Sequence, residues 1–133
     1  MDKSELERRT RAFALRILSF VASLPRDRAG DVVGRQLLKS GTSIGANYRE
    51  ANRAESRLDF IHRIAIVEKE AAECQYWIEL CFAASLGTTE DRVWLANEVR
   101  QLLAIFTRIG KTSKVKSRSR PANSKFAIRN SKS

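Results

Sequence analysis

One histidine and two cysteines are the side chains of this sequence best suited to metal binding or nucleophilic catalysis. His62 follows Asp59 by three residues, the spacing at which a carboxylate and an imidazole on one helix bind metal in di-iron bundles. Such a site needs a second helix that carries a histidine, and the sequence has no other histidine. We therefore favour an ordinary polar histidine near a helix start, and we predict no metal site and no cofactor.

The two cysteines, Cys74 and Cys81, lie in a stretch with helical periodicity and are seven residues apart. This spacing places them on one helix face, about 10.5 Å apart along the axis, which is too far for a disulfide between them. They also lack metal-ligand spacing, so we interpret them as small core residues that fit a reducing cytoplasm. With no nucleophile–base pair and no glycine-rich phosphate loop, the sequence predicts a protein without enzymatic activity.

The basic side chains are concentrated towards the carboxyl-terminal end. The 133-residue chain has 25 basic and 15 acidic side chains and a formal net charge of +10. Eight of the basic side chains and none of the acids fall in residues 110–133, which leaves the preceding part nearly neutral. The segment 111–133 is rich in serine and poor in apolar residues, so we expect it to be disordered. Two interpretations have equal weight: an arm that contacts phosphates, or a low-complexity extension without a role.

Any functional side chain must be positioned by four stretches in which apolar residues recur at helical spacing. The predicted helices cover residues 4–24, 31–54, 56–85 and 90–109. Because the connections are short, these elements predict an all-α fold: an antiparallel up-down-up-down four-helix bundle over residues 1–110. No stretch is apolar enough to span a membrane.

Helix boundaries are indicated by a few residues. Ser4 and Glu7 have the spacing of a capping box, and Gly110 is predicted to end the fourth helix. The glycines of the second stretch, Gly41 among them, weaken a helix. Either they allow a neighbouring helix to approach closely, or the helix breaks into two near Gly41.

The third stretch carries two sets of apolar residues. One set, from Phe60 to Cys81, follows a heptad spacing. A helix that is apolar on two sides is either central in its domain or also contacts another subunit. The second set consists of Ile61, Ala65, Ala72, Trp77 and Ala84.

Arginines at every fourth position, Arg49, Arg53 and Arg57, follow the second predicted helix into the next turn. They form a basic ridge suited to phosphate contacts, although plain solvation is the favoured interpretation. Together with the basic segment they give the candidate nucleic-acid-binding residues. These are Arg49, Arg53, Arg57, Lys111, Lys114, Lys116, Arg118 and Arg120.

Three stretches, Lys39–Ser56, Asp59–Glu73 and Tyr76–Leu80, closely resemble the four-helix-bundle family of 23S rRNA intervening-sequence proteins. The resemblance covers about residues 5–109 and implies a bacterial protein that forms a ring-shaped homopentamer. It implies kinship with the accessory protein of diversity-generating retroelements, a basic pentameric ring that binds nucleic acid and a reverse transcriptase. No enzymatic activity is established for the family. By position, the family signature falls on Ser43, Asn47, Glu50, Glu73 and Glu79, which we expect to position helices and the ring interface.

These observations together predict a non-enzymatic, oligomeric, cytoplasmic protein that binds RNA or DNA backbones through lysine and arginine. The alternative is a structural ring that acts as an adaptor for a protein partner and has no nucleic-acid role. Neither interpretation involves a membrane.

Overall fold

The computed structural model describes residues 1–118, which form four α-helices and no strand. The helices are α1 (Lys3–Ala22), α2 (Arg28–Ala51), α3 (Arg57–Ala83) and α4 (Thr89–Arg118). Each connection is about five residues long, so consecutive helices pack side by side and antiparallel. The predicted all-α four-helix bundle is confirmed. None of the described helices is long and apolar enough to cross a membrane.

The helix starts are fixed by side-chain caps. The Asp2 side chain accepts a hydrogen bond from the Glu5 backbone N–H at 2.8 Å, and the Glu5 side chain bonds back to the Asp2 N–H. This is a capping box, but it begins two residues before the predicted one, so Ser4 lies inside α1. Asp27 and Ser56 cap α2 and α3 without the return bond: their side chains accept hydrogen bonds from the backbone N–H groups of Gly30 and Asp59.

The predicted heptad seam of α3 lies in the core of the bundle. Its central residues Ile64, Val67, Ala71, Cys74 and Ile78 are at most 1% exposed. They pack with the apolar faces of the other three helices. The largest buried side chains contributed by those helices are Phe13, Ile17, Phe20, Leu37, Ile44, Leu95, Leu102 and Phe106.

Glycines in α2 allow α1 to approach closely, and α2 does not break at Gly41. A Cβ at Gly41 would stand 2.8 Å from Cγ1 of Ile17, and one at Gly45 would stand 3.1 Å from Oγ1 of Thr10. Both α1 side chains are fully buried. Of the two interpretations of these glycines, close helix approach is therefore the correct one.

Polar pairs join α1 to α4, the adjacent pair of helices whose backbones pack least closely. Arg9 forms a two-point ion pair with Glu98, with N–O distances of 2.7 and 3.0 Å. Arg16 bonds to Asp91 and lies over the Trp94 ring, 4.6 Å from its centroid. Charge-assisted bonds of this geometry fix the relative register of the two helices.

The turn between α3 and α4 is held by a buried arginine. Arg92 donates hydrogen bonds to the carbonyl oxygens of Leu86 and Gly87 at 2.9 and 2.6 Å. Gly87 has a φ of +76°, a backbone conformation that only glycine adopts without strain. The α3–α4 connection is therefore a fixed turn.

The prediction that Gly110 ends the fourth helix is wrong, because α4 continues to Arg118. Gly110 is buried where α4 meets α3, and a Cβ there would stand 3.2 Å from Oε1 of Glu68. The glycine serves close packing between helices, and no proline follows before Pro121. Basic side chains in the last turn also suit the negative end of the helix dipole. The segment 111–118, predicted to be tail, is thus helical, and residues 119–133 lie outside the described part.

Candidate nucleic-acid interface

Three segments that are distant in sequence meet at one end of the bundle. The Asn52 side chain, in the turn after α2, donates a hydrogen bond to Glu7 of α1 at 2.9 Å. Lys3 of α1, Arg57 of α3 and Lys116 of α4 line one groove. The start of α1, the α2–α3 turn and the end of α4 therefore lie together, and we call this region the basic end.

The three candidate arginines do not form one ridge, because the chain reverses between α2 and α3. Arg49 is exposed in the last turn of α2, beside Arg11 along a shallow groove between α1 and α2. Arg53 is exposed in the turn itself, whereas Arg57 is the first residue of α3 and is partly buried. All three belong to the basic end, but Arg49 and Arg57 line different grooves.

The last part of α4 adds an exposed row of cations to the same end. Lys111, Lys114 and Arg118 are exposed, and their spacing places them on one helix face. Lys116 is also exposed and lies on another face, where it lines the groove with Arg57. Arg120, the remaining candidate, lies outside the described residues.

A groove between α1, α3 and α4, which we call the cationic groove, is a concave feature of the basic end. Its volume is about 740 Å³. Four cationic side chains from three helices line it, and its lining includes no acidic side chain from residues 1–118. The lining residues are Lys3, Arg57, Phe60, Arg108, Ile109, Thr112, Ser113 and Lys116.

Arg57 is the partly buried cation of this groove. Its Nε is shielded from solvent and has no hydrogen-bond acceptor among the described residues. A buried donor without an acceptor costs about 1–3 kcal/mol, and a shift of the side chain towards an anion in the groove would remove that cost. Arginine also binds phosphate with two parallel hydrogen bonds, which a lysine cannot do.

The signature residues do not gather into one site. The Asn47 amide donates to the carbonyl oxygen of Ser43 at 2.9 Å, and the Ser43 hydroxyl bonds back to the Lys39 carbonyl. Glu73 accepts a bond from the Trp77 indole at 3.4 Å. These bonds run along a single helix and satisfy polar groups locally. Glu50 and Glu79 are exposed.

The residues considered for metal or nucleophilic chemistry are dispersed. His62 is exposed, and Asp59 lies 3.8 Å from Arg63. Within residues 1–118 no three histidine, cysteine or acidic side chains are grouped so that they could hold a metal ion. Cys74 and Cys81 are free and buried, and loss of hydration raises the pKa of the Cys74 thiol to about 12.

Sequence reasoning missed Lys3 and Arg108, two of the four cations of the groove. Each lies in a helical stretch with mixed charges, where a single basic residue does not indicate a binding site. The signal that could have found them is topological. In an up-down-up-down bundle, the chain start, the second turn and the end of the fourth helix must meet at one end.

The helices, the short connections and the polar α1–α4 contacts define the class: a small antiparallel four-helix bundle with a cationic end. The chain belongs to the 23S rRNA-intervening sequence protein family, whose sequence profile matches residues 2–108. It is similar to a solved structure of a protein of unknown function from the S23 ribosomal protein family of Bacteroides thetaiotaomicron. The two share 36% identity over 84% of this chain and 99% of that chain, with a TM-score of 0.76. No curated protein matches the chain.

Proposed function

We propose that this protein is a non-enzymatic, oligomeric protein that binds the backbones of RNA or DNA through its basic end. The observation that carries the proposal is the convergence of cations from α1, α3 and α4 on one groove without an acidic lining residue among residues 1–118. Lysine and arginine contacts to phosphates supply most of the affinity in binding that does not depend on sequence. An accessory role beside a reverse transcriptase, which the resemblance implies, is one setting for such binding.

The end of α4 supports the proposal independently of the groove. Residues 110–118 carry four basic side chains and no acid, and the helix holds Lys111, Lys114 and Arg118 on one face. A row of cations on a helix is more ordered than the predicted flexible arm, so less entropy is lost when it binds a polyanion. Residues 119–133 add four further basic side chains in sequence.

The binding test compares the full chain with a chain that ends at Arg118, which keeps all of α4. Fluorescence anisotropy with a labelled generic RNA at low salt measures both affinities. We expect the full chain to bind, and the shortened chain to bind more weakly while retaining measurable affinity from α4. Undetectable binding by the full chain at low salt would contradict the proposed function.

A second candidate function, a structural ring that contacts a protein partner, is favoured by an apolar stripe on α3. By helical spacing, Leu58, Ile61, Ala65, Ala72 and Tyr76 share one face opposite the core seam. Leu58 is 71% exposed and Tyr76 is 53% exposed. Of the predicted second apolar set, Trp77 and Ala84 lie off this stripe. Exposed apolar side chains that share one helix face are typical of contact with another chain.

We propose that this stripe contributes to self-association, in line with the homopentamer that the resemblance implies. Light scattering after size-exclusion chromatography measures the assembly mass, and we expect about 75 kDa, five times the chain mass of 15.1 kDa. Tyr76→Glu should lower this mass, because it places a charge in a subunit contact. The control Arg100→Glu, on the exposed face of α4, should leave the mass unchanged. A monomeric full chain would contradict the ring in both candidate functions.

A further inference from the structure

We propose that the cationic groove holds a short stretch of single-stranded nucleic acid in preference to a duplex. This inference rests on the proposed function and names the form of nucleic acid that the groove accepts. It depends on three properties of the groove: its charge, its apolar floor and its size.

The charge of the groove fits a chain of phosphates. Arg57 and Arg108 face the same space from two helices, and Lys116 lies eight residues after Arg108 on α4. This spacing separates the two α4 residues by about 12 Å along the helix axis, so that they can contact different phosphates of one strand. The Arg57 guanidinium, whose Nε lacks an acceptor among the described residues, would bond to a phosphate oxygen.

The floor of the groove distinguishes a single strand from a duplex. Phe60 and Ile109 line it; both pack against the core and are only partly buried. Unpaired bases stack on aromatic side chains, and this contact tolerates any sequence because every base has a π-face. In a duplex the faces of the bases are already stacked on each other, and Phe60 would have no base to contact.

The size of the groove also favours a single strand over a duplex. The groove is open, and its volume of about 740 Å³ is comparable with the range of about 300–1,000 Å³ typical of ligand pockets. Individual nucleotides of one strand fit such a space, whereas a duplex would contact only its rim. An acidic peptide would share the charge complementarity but has no base to stack on Phe60.

The test uses the full chain and fluorescence anisotropy at one salt concentration. The probes are a labelled oligodeoxythymidine of about 12 nucleotides, within the range of single-strand site sizes, and the same strand paired to its complement. The variants are Phe60→Leu, which keeps apolar packing but removes the aromatic face, and Arg57→Gln. The matched control is Arg28→Gln, which removes one exposed charge at the other end of the bundle. Thermal unfolding confirms that each variant is folded.

We expect the single strand to bind more tightly than the duplex. Phe60→Leu should weaken single-strand binding about five-fold or more and leave duplex binding unchanged. Arg57→Gln should weaken single-strand binding more than Arg28→Gln does. The assignment of single-strand binding to the cationic groove would be overturned if both probes bound equally well. It would also be overturned if Phe60→Leu weakened both probes equally, or if equimolar polyglutamate fully displaced the single strand. If the full chain binds neither probe, both the proposed function and the assignment of single-strand binding to the groove are overturned.

Discussion

Cys74 shows how a residue type that suggests chemistry is made inert by its position. It lies on the core side of α3 and is fully buried. Loss of hydration disfavours the thiolate and raises the pKa of Cys74 from 9.0 to about 12, although a bond with Ser40 opposes the shift. The same cause raises the pKa of Cys81 to about 11. Because the thiolate is the nucleophile, neither cysteine is suited to catalysis.

The raised pKa of Cys74 predicts a loss of stability at alkaline pH. In the unfolded chain the thiol releases its proton near pH 9, whereas in the folded chain it keeps the proton up to about pH 12. The folded state therefore binds more protons over this interval, and the free energy of unfolding falls as the pH rises. One such group contributes at most about 1.4 kcal/mol per pH unit. Urea unfolding from pH 8 to pH 10.5 measures the slope.

The control for this prediction is Cys74→Ala, which removes the thiol and keeps a small apolar side chain in the core. Its stability at pH 8 should be lower, but its decline with pH should be less steep than that of the natural chain. Equal slopes in the two proteins would contradict the assignment of the effect to Cys74.

At the scale of the helices, the apolar periodicity was sufficient to predict four elements and their connections, because burial of one helix face dominates bundle folding. The boundaries were harder to predict. Gly110 has the residue type of a helix end, yet it is buried against Glu68 and α4 passes through it. Whether a glycine ends a helix or admits a neighbour depends on the partner helix, which local sequence does not specify.

The glycines of α2 and α4 provide a matched pair of substitutions. Gly41→Ala places a Cβ 2.8 Å from Ile17, which is fully buried and cannot move away. We expect overpacking to cost about 1–3 kcal/mol, which outweighs the helix propensity gained. Gly110→Ala meets the end of the Glu68 side chain at 3.2 Å and makes an ordinary contact with Ile64 at 3.6 Å, so we expect a gain of about 0.5–1 kcal/mol.

Chemical denaturation of the two glycine variants measures both effects on the free energy of unfolding. The pair shares the same chemical change, so differences in unfolded-state entropy cancel between them. A Gly41→Ala protein at least as stable as the natural chain would contradict the close packing of α1 on α2.

At the scale of the whole molecule, the charge distribution differs from the sequence prediction in a way that matters for binding. The basic segment was predicted to be a separate tail after residue 110, but its first part is the end of α4 and lies beside Arg57. Sequence spacing could identify Arg49, Arg53 and Arg57 as basic. It could not show that the chain reversal would send Arg49 and Arg57 to different grooves, because that depends on helix packing. Lys3 and Arg108 join the site for the same reason.

The central claim is that cations of the basic end contact nucleic-acid phosphates. The salt dependence of RNA binding tests this claim most directly. The logarithm of the binding constant is measured against the logarithm of salt concentration for the full chain and for Lys111→Gln/Lys114→Gln/Arg118→Gln. We predict a linear decrease for the full chain and a shallower slope for the variant, by up to about 0.7 for each single-strand phosphate that the variant no longer neutralises. Identical slopes for the two proteins, or binding indifferent to salt, would contradict the account.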